Sequence, residues 1–181
     1  RHTIITSSQA KNDQYGNFPE VPPNANGFSV RLGNADVFSL AESISYDYVI
    51  PANTQTFSIS YQYAVVLQNP GHAFYDQPRF KANVINLTDN TVIDCVSFDF
   101  TASSSLPGFK VSSFDPSVLY KDWTPVILDL AVYAGKTIRL EFITSDCVLE
   151  AHFGYAYIDV SPSCSGTFNG NIICQGDKTV T

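Results

Sequence analysis

Polar and apolar positions alternate along most of this chain with a period of two, the period of a β-strand whose successive side chains face opposite ways. Residues 137–144 place Ile138, Leu140 and Phe142 on one face and Arg139 and Glu141 on the other. The longest run covers 57–65, where Phe57, Ile59, Tyr61, Tyr63 and Val65 alternate with Ser58, Ser60, Gln62 and Ala64. Residues 28–32 and 44–50 repeat the pattern, and further strands are expected at 3–6, 80–86, 92–100 and 123–130. The segment 152–160 sets Phe153, Tyr155, Tyr157 and Asp159 on one face against Gly154, Ala156, Ile158 and Val160 on the other. A carboxylate in phase with three aromatic rings is either at the strand end or held by a partner.

Turn chemistry separates these runs at Pro51-Ala-Asn, Asn69-Pro-Gly, Thr88-Asp-Asn, Leu106-Pro-Gly and Ala134-Gly-Lys. No window of helical length keeps a 3.6-residue apolar period. Nine or ten strands with polar outer faces and one continuous inner set describe an all-β, two-sheet β-sandwich or barrel. Long connections at 68–78 and 101–122 favour a jelly-roll-like sandwich over a meander. Before Phe28 the chain is polar and rich in proline, which reads as an arm wrapped on the domain. Past Ser161 the character changes. Residues 1–162 therefore read as one sandwich domain and 163–181 as a tail or the opening of a following module.

Composition sharpens this picture. Ten tyrosines, thirteen phenylalanines and no methionine suit pleated sheet. A formal net charge of −7 argues against nucleic acid, which needs a basic footprint. No apolar run approaches the roughly 20 residues of a membrane helix, so no membrane insertion is expected. Arg1, His2 and Thr3 lead straight into a strand, so a mature or excised fragment is expected. Four cysteines, at 95, 147, 164 and 174, lack the C-x-x-C spacing of a zinc ribbon or redox motif. Cys164 and Cys174 flank a Gly/Asn-rich loop that a local disulfide closes easily. Cys95 and Cys147 are then a second bridge or two free thiols, and four cysteines permit three pairings.

Several segments also resemble a known family. They are Ser29-Val-Arg-Leu-Gly-Asn34, Ala41-Glu42-Ser-Ile-Ser-Tyr46, Tyr63-Ala-Val-Val-Leu-Gln-Asn-Pro-Gly-His72, Asp76-Gln-Pro-Arg-Phe80 and His152-Phe-Gly-Tyr-Ala-Tyr-Ile-Asp159. Together, over residues 1–162, they resemble a domain of the large type IX-secreted surface adhesins of gliding Bacteroidetes, the gliding-motility adhesin and its relatives. The resemblance implies an extracellular, cell-surface module with a jelly-roll fold like that of carbohydrate-binding modules. Its partners would be an extracellular surface, a glycan or polysaccharide, and neighbouring modules of the same chain. No ligand and no catalytic set come with it.

The candidate chemistry lies in the connections. The 68–80 loop gathers His72, Phe74, Tyr75, Asp76, Gln77 and Arg79. As a binding rim, its rings would stack on sugars while the polar groups bond hydroxyls. As a structural loop, it would be pinned by its own side chains, with Arg79 pairing a carboxylate. Trp123, the single tryptophan, is either a sugar platform or a rim-of-core residue. His72, Asp76 and His152 would make a metal site only if their segments adjoin. Calcium is the cofactor to consider, with Asp159 as the ligand and Glu42, Asn34 or Asp36 as its partner, since calcium collects carboxylates and carbonyls. For catalysis there is no Gly-x-Ser-x-Gly elbow, no His-Glu-x-x-His helix and no phosphate-cradling loop. Asp122 and Asp129, seven apart on one strand, point to opposite faces and make a poor glycosidase pair. The expectation is a non-enzymatic binding or spacer module, with a carbohydrate-active enzyme or its appended binding module as the alternative.

Overall fold

The computed structural model describes residues 1–23 and 27–161. The alternating segments become strands β1 (His2–Thr6), β2 (Phe28–Leu32), β3 (Ala41–Val49), β4 (Ser58–Gln68) and β5 (Arg79–Asn86). They are followed by β6 (Thr91–Val92), β7 (Phe98–Thr101), β8 (Lys110–Val111), β9 (Val118–Asp129), β10 (Thr137–Ser145) and β11 (Gly154–Ser161). One sheet runs β1-β2-β11-β4-β9-β8, and the other runs β3-β10-β5-β6 with β7 also on β5. Every pairing among the described residues is antiparallel. The long strands change sheet at each step, β3 to β4 to β5 and again β9 to β10 to β11. The protein is thus an all-β, two-sheet sandwich with jelly-roll-like connections.

The core between the sheets is what the period of two demanded. Tyr61, Tyr63, Val65 and Leu67 of β4 meet Phe80, Ala82 and Val84 of β5 and Leu140 and Phe142 of β10, with Ala156 and Ile158 of β11 beside them. The rings pack on one another: Tyr63 stacks on Phe80 at 5.6 Å, and Tyr61 meets Phe142 edge-on at 5.0 Å. Burial of such side chains is worth about 1.5–3 kcal/mol each relative to exposure.

Two expectations about strands are corrected. The run 92–100 is not one strand, because a 3-10 turn at Asp94–Val96 splits it. Ser97 is the cause: its Oγ accepts the Val84 N–H at 2.9 Å and donates to Ile93 O at 3.0 Å, replacing a ladder partner by a side chain. Conversely β9 begins at Val118, ahead of the expected start at 123, and pairs with β8. Two-residue strands are too short to show a period.

The outer faces are not uniformly polar either. On the first sheet, Ala64, Val66, Phe153, Tyr155 and Tyr157 form a second apolar layer beneath the arm, into which Phe18 and Val21 are driven. Asp13 anchors the arm. Its Oδ2 accepts hydrogen bonds from Tyr155 OH at 2.7 Å and Tyr157 OH at 2.9 Å, and its Oδ1 accepts the N–H groups of Tyr15 and Gly16. Burial, then the Asp13 charge, pushes both phenols well above the usual tyrosine range. The outer face of the second sheet is polar, as expected. Arg139 makes a bidentate pair with Asp47, Asn83 donates to Glu141, and Arg79 and Lys81 both reach Asp99.

A Cys95–Cys147 bridge does not form, because Cys147 is a free, buried thiol. Cys147 follows the end of β10 that pairs with Arg79, whereas Cys95 sits on the turn beyond Ile93, which bonds to Val84. Five positions along β5 separate those levels, ~16 Å at strand rise. A disulfide needs Cα atoms within about 7 Å. Cys164 and Cys174 lie outside the described residues, as does the whole 163–181 tail that was expected to open a new module. No helix among the described residues is long and apolar enough to cross a membrane.

Candidate binding end

Three connections meet at one end of the sandwich: 33–40 between β2 and β3, 69–78 between β4 and β5, and 146–153 between β10 and β11. Their meeting follows from register, since Ser145 pairs with both Ala41 and Arg79, and Gly154 pairs with Leu67. Backbone bonds then stitch the loops together. Asp146 N donates to Leu40 O, Val148 N to Asp76 O, and Cys147 N to His152 O. Ser39 Oγ lies 2.8 Å from the carbonyl oxygens of Cys147 and Val148 and accepts the Glu150 N–H at 3.1 Å. Ser39 and Glu150 both hold left-handed backbone, at φ 50° and 59°. Non-glycine residues tolerate that only where surrounding bonds over-determine it.

This stitched end presents apolar side chains to solvent. Phe38 and Leu40 come from the first loop, Phe74 and Tyr75 from the second, and Val148 and Leu149 from the third, all exposed, with Tyr75 at 82 %. Phe74 and Tyr75 hold each other edge-on at 5.5 Å, and the Arg79 guanidinium lies 5.7 Å from the centre of the Phe74 ring. Exposed apolar residues scattered singly are ordinary, but a group of them on tethered loops is a candidate contact surface.

The sequence-derived residues divide into those at this surface and those that hold it up. His72, Phe74, Tyr75 and His152 do come together. Gln77 is buried and structural: its Nε2 donates to Asn69 Oδ1 and to His72 O, and Asn69 Oδ1 also accepts the Gly71 N–H, which fixes the 69–73 turn. Arg79 pairs with Asp99 at 3.0 Å, as the structural reading of the loop required. Asp76 contributes through its backbone, by the bond from Val148 N. Trp123 belongs elsewhere. Its Nε1 donates to Pro19 O at 2.6 Å and its ring lies 6.2 Å from that of Tyr157, so it latches the arm and is not a platform at this end.

Behind the rim, His72 and His152 meet edge-on with ring centres 4.9 Å apart. Their third partner is Cys147, not Asp76. The Cys147 Sγ lies 3.4 Å from His152 Nδ1, and one donor atom from each of the three residues falls within 4.8 Å of the others. Burial, then the neighbouring His72, lowers the proton affinity of His152. The signal available beforehand was Cys-x4-His spacing across a short strand connection, a weak one.

The calcium set does not assemble around Asp159. Glu42 and Asp36 meet instead at the Arg1 guanidinium, which lies 3.0 Å from Glu42 Oε1, 3.8 Å from Asp36 and 2.9 Å from Asp146 Oδ2. Asn34 braces Asp36 by two hydrogen bonds. Asp146, unnoticed in the sequence, is fully buried and also accepts the N–H groups of Leu40 and Gly154. Asp159 lies five positions along β11 from Gly154, ~16 Å away. It pairs in register with Gln62, is buried, and its Oδ1 has no hydrogen-bond partner among the described residues. Burial raises its pKa above the usual carboxylate range. These residues, so placed, do not fit the calcium set that was drawn around Asp159.

No family model matches the chain, and no curated protein matches it in sequence. Solved structures of similar shape include TmCBM61 in complex with β-1,4-galactotriose, at 7 % identity and a TM-score of 0.44, over 90 % of this chain and 88 % of that one. Another is CBM27-1 of Caldicellulosiruptor saccharolyticus in complex with mannohexaose, at 6 % identity and a TM-score of 0.39, over 88 % and 94 %. A third is the K3 cleaved adhesin domain of the Lys-gingipain of Porphyromonas gingivalis, at 13 % identity and a TM-score of 0.39, over 88 % and 89 %. At such identities the likeness concerns shape alone.

Proposed function

We propose that this chain is a non-enzymatic binding module of a secreted, cell-surface adhesin, and that it engages glycan through the loop end described above. One observation carries the reading: three loops cross-tied by hydrogen bonds expose Phe38, Leu40, Phe74, Tyr75, Val148 and Leu149 together. Among the described residues, much of one sheet face lies under the arm and the other carries charge pairs. Aromatic rings held at fixed angles suit the apolar faces of sugar rings, and a nearby exposed carboxylate such as Glu150 suits their hydroxyls. The type IX adhesin reading, with its cell-surface location and its role in gliding or attachment, rests on the five linked motifs.

The test is retention on a glycan array and on polysaccharide-coated surfaces. The Phe74→Ala/Tyr75→Ala double variant is expected to lose at least tenfold in affinity at an unchanged melting temperature, because both rings are exposed. Trp123→Ala is expected to keep affinity and lose stability. Absence of retention on any glycan would leave the module as a spacer. Turnover in a screen of glycosides and esters, abolished by a single carboxylate substitution, would establish the enzyme reading instead.

A further inference from the structure

We propose that His72, Cys147 and His152 form a three-ligand site for a thiophilic d-block cation, zinc first among them. The site ties the 69–78 and 146–153 connections together behind the exposed rim. One thiol and two imidazoles are a donor set that selects zinc or copper over calcium or magnesium, which take oxygen.

The geometry is close to what zinc needs. With Zn–S about 2.3 Å and Zn–N about 2.0–2.1 Å, tetrahedral ligand atoms lie roughly 3.5 Å from one another. The pair Cys147 Sγ and His152 Nδ1 is already at 3.4 Å, and no pair in the trio exceeds 4.8 Å. The residue that must close the gap is His72, on a turn whose Gly71 has open space around it.

A second observation points the same way. His72 Nδ1 is buried and has no hydrogen-bond partner among the described residues, a state that costs free energy unless something fills it. Gln77, by bonding the His72 carbonyl, holds the backbone that carries this ring. Cys147 is fully buried, which suits a metal-held sulfur and not a nucleophile awaiting substrate. Binding converts the Cys147 thiol to thiolate and releases its proton, and both imidazoles bind neutral. The fourth position falls to water or to a donor from a bound partner, since both imidazoles are only half-buried. The inference stands whether or not the rim binds glycan.

Cobalt(II) titration of the purified chain tests it directly. One equivalent is expected to produce a thiolate-to-cobalt charge-transfer band with intense tetrahedral d–d bands, both displaced by zinc. Zinc is expected to raise the melting temperature with the logarithm of its concentration. Cys147→Ser should abolish the charge-transfer band. His72→Ala, on a partly exposed turn, should fold normally and bind cobalt roughly tenfold or more weakly. No charge-transfer band, a band that survives Cys147→Ser, or unchanged affinity in His72→Ala would overturn the site. None of these outcomes bears on the glycan array.

Discussion

Asp13 and Asp159 are both buried carboxylates on the covered side of the first sheet, and their surroundings make them opposites. Asp13 accepts four hydrogen bonds, two of them from phenols. Asp13→Ala leaves the buried hydroxyls of Tyr155 and Tyr157 without their acceptor. It is expected to cost about 3 kcal/mol in chemical denaturation, at one to three per orphaned group. Asp159 has an orphaned oxygen and a raised pKa. A carboxyl whose folded pKa lies above its unfolded value favours the protonated fold. Its contribution is present below the ordinary carboxylate range and is lost as pH rises through that range to the raised pKa. Asp159→Asn is therefore expected to be more stable than the parent at neutral pH, by about 1 kcal/mol. It should also flatten the pH dependence of the melting temperature from the ordinary carboxylate range upward. A variant less stable than the parent at neutral pH would overturn this reading of Asp159. In the sequence both residues were plain aspartates, and only Asp159 stood out, through its phase with three rings. Nothing in the sequence marked Asp13, because its partners lie 142 and 144 positions away.

The strands were the most legible elements, because a period of two survives any tertiary arrangement. What the period could not say was whether a second face is buried. In β11, Ala156 and Ile158 face the sandwich core while Tyr155 and Tyr157 face the arm, so both sets are buried. The arm itself read as loop, yet Phe18 within it is as buried as a core residue. Phe18→Ala is expected to cost about 3 kcal/mol or more, the range for emptying an aromatic site, and urea denaturation measures it. Gly154 marks another constraint of this scale. A Cβ there would sit 2.7 Å from the Ser145 carbonyl oxygen, which belongs to the facing sheet. Gly154→Ala is expected to lower the melting temperature and to loosen the binding end that β11 opens.

At the scale of the whole molecule, Arg1 joins what the sheets would otherwise leave apart. Its guanidinium bridges Glu42 of β3 and Asp146 of the β10–β11 connection, while the Gly33 N–H beside β2 donates to the Arg1 carbonyl. Arg1→Ala strands two buried carboxylates and is expected to cost about 3 kcal/mol, measured by urea denaturation. The same end carries the apolar rim and the His72–Cys147–His152 trio, so a clamp lost here should also weaken ligand retention. Two sheets, antiparallel pairing and an aromatic interior were determined by the sequence alone, since local alternation and β-favouring side chains act over a few residues. Which loops share an end was decided only by register, which is why Cys147 and not Asp76 joins the histidines. The same distant pairing put Glu42 on an arginine and Trp123 under the arm, outcomes that depend on strands far apart in sequence and leave no local trace.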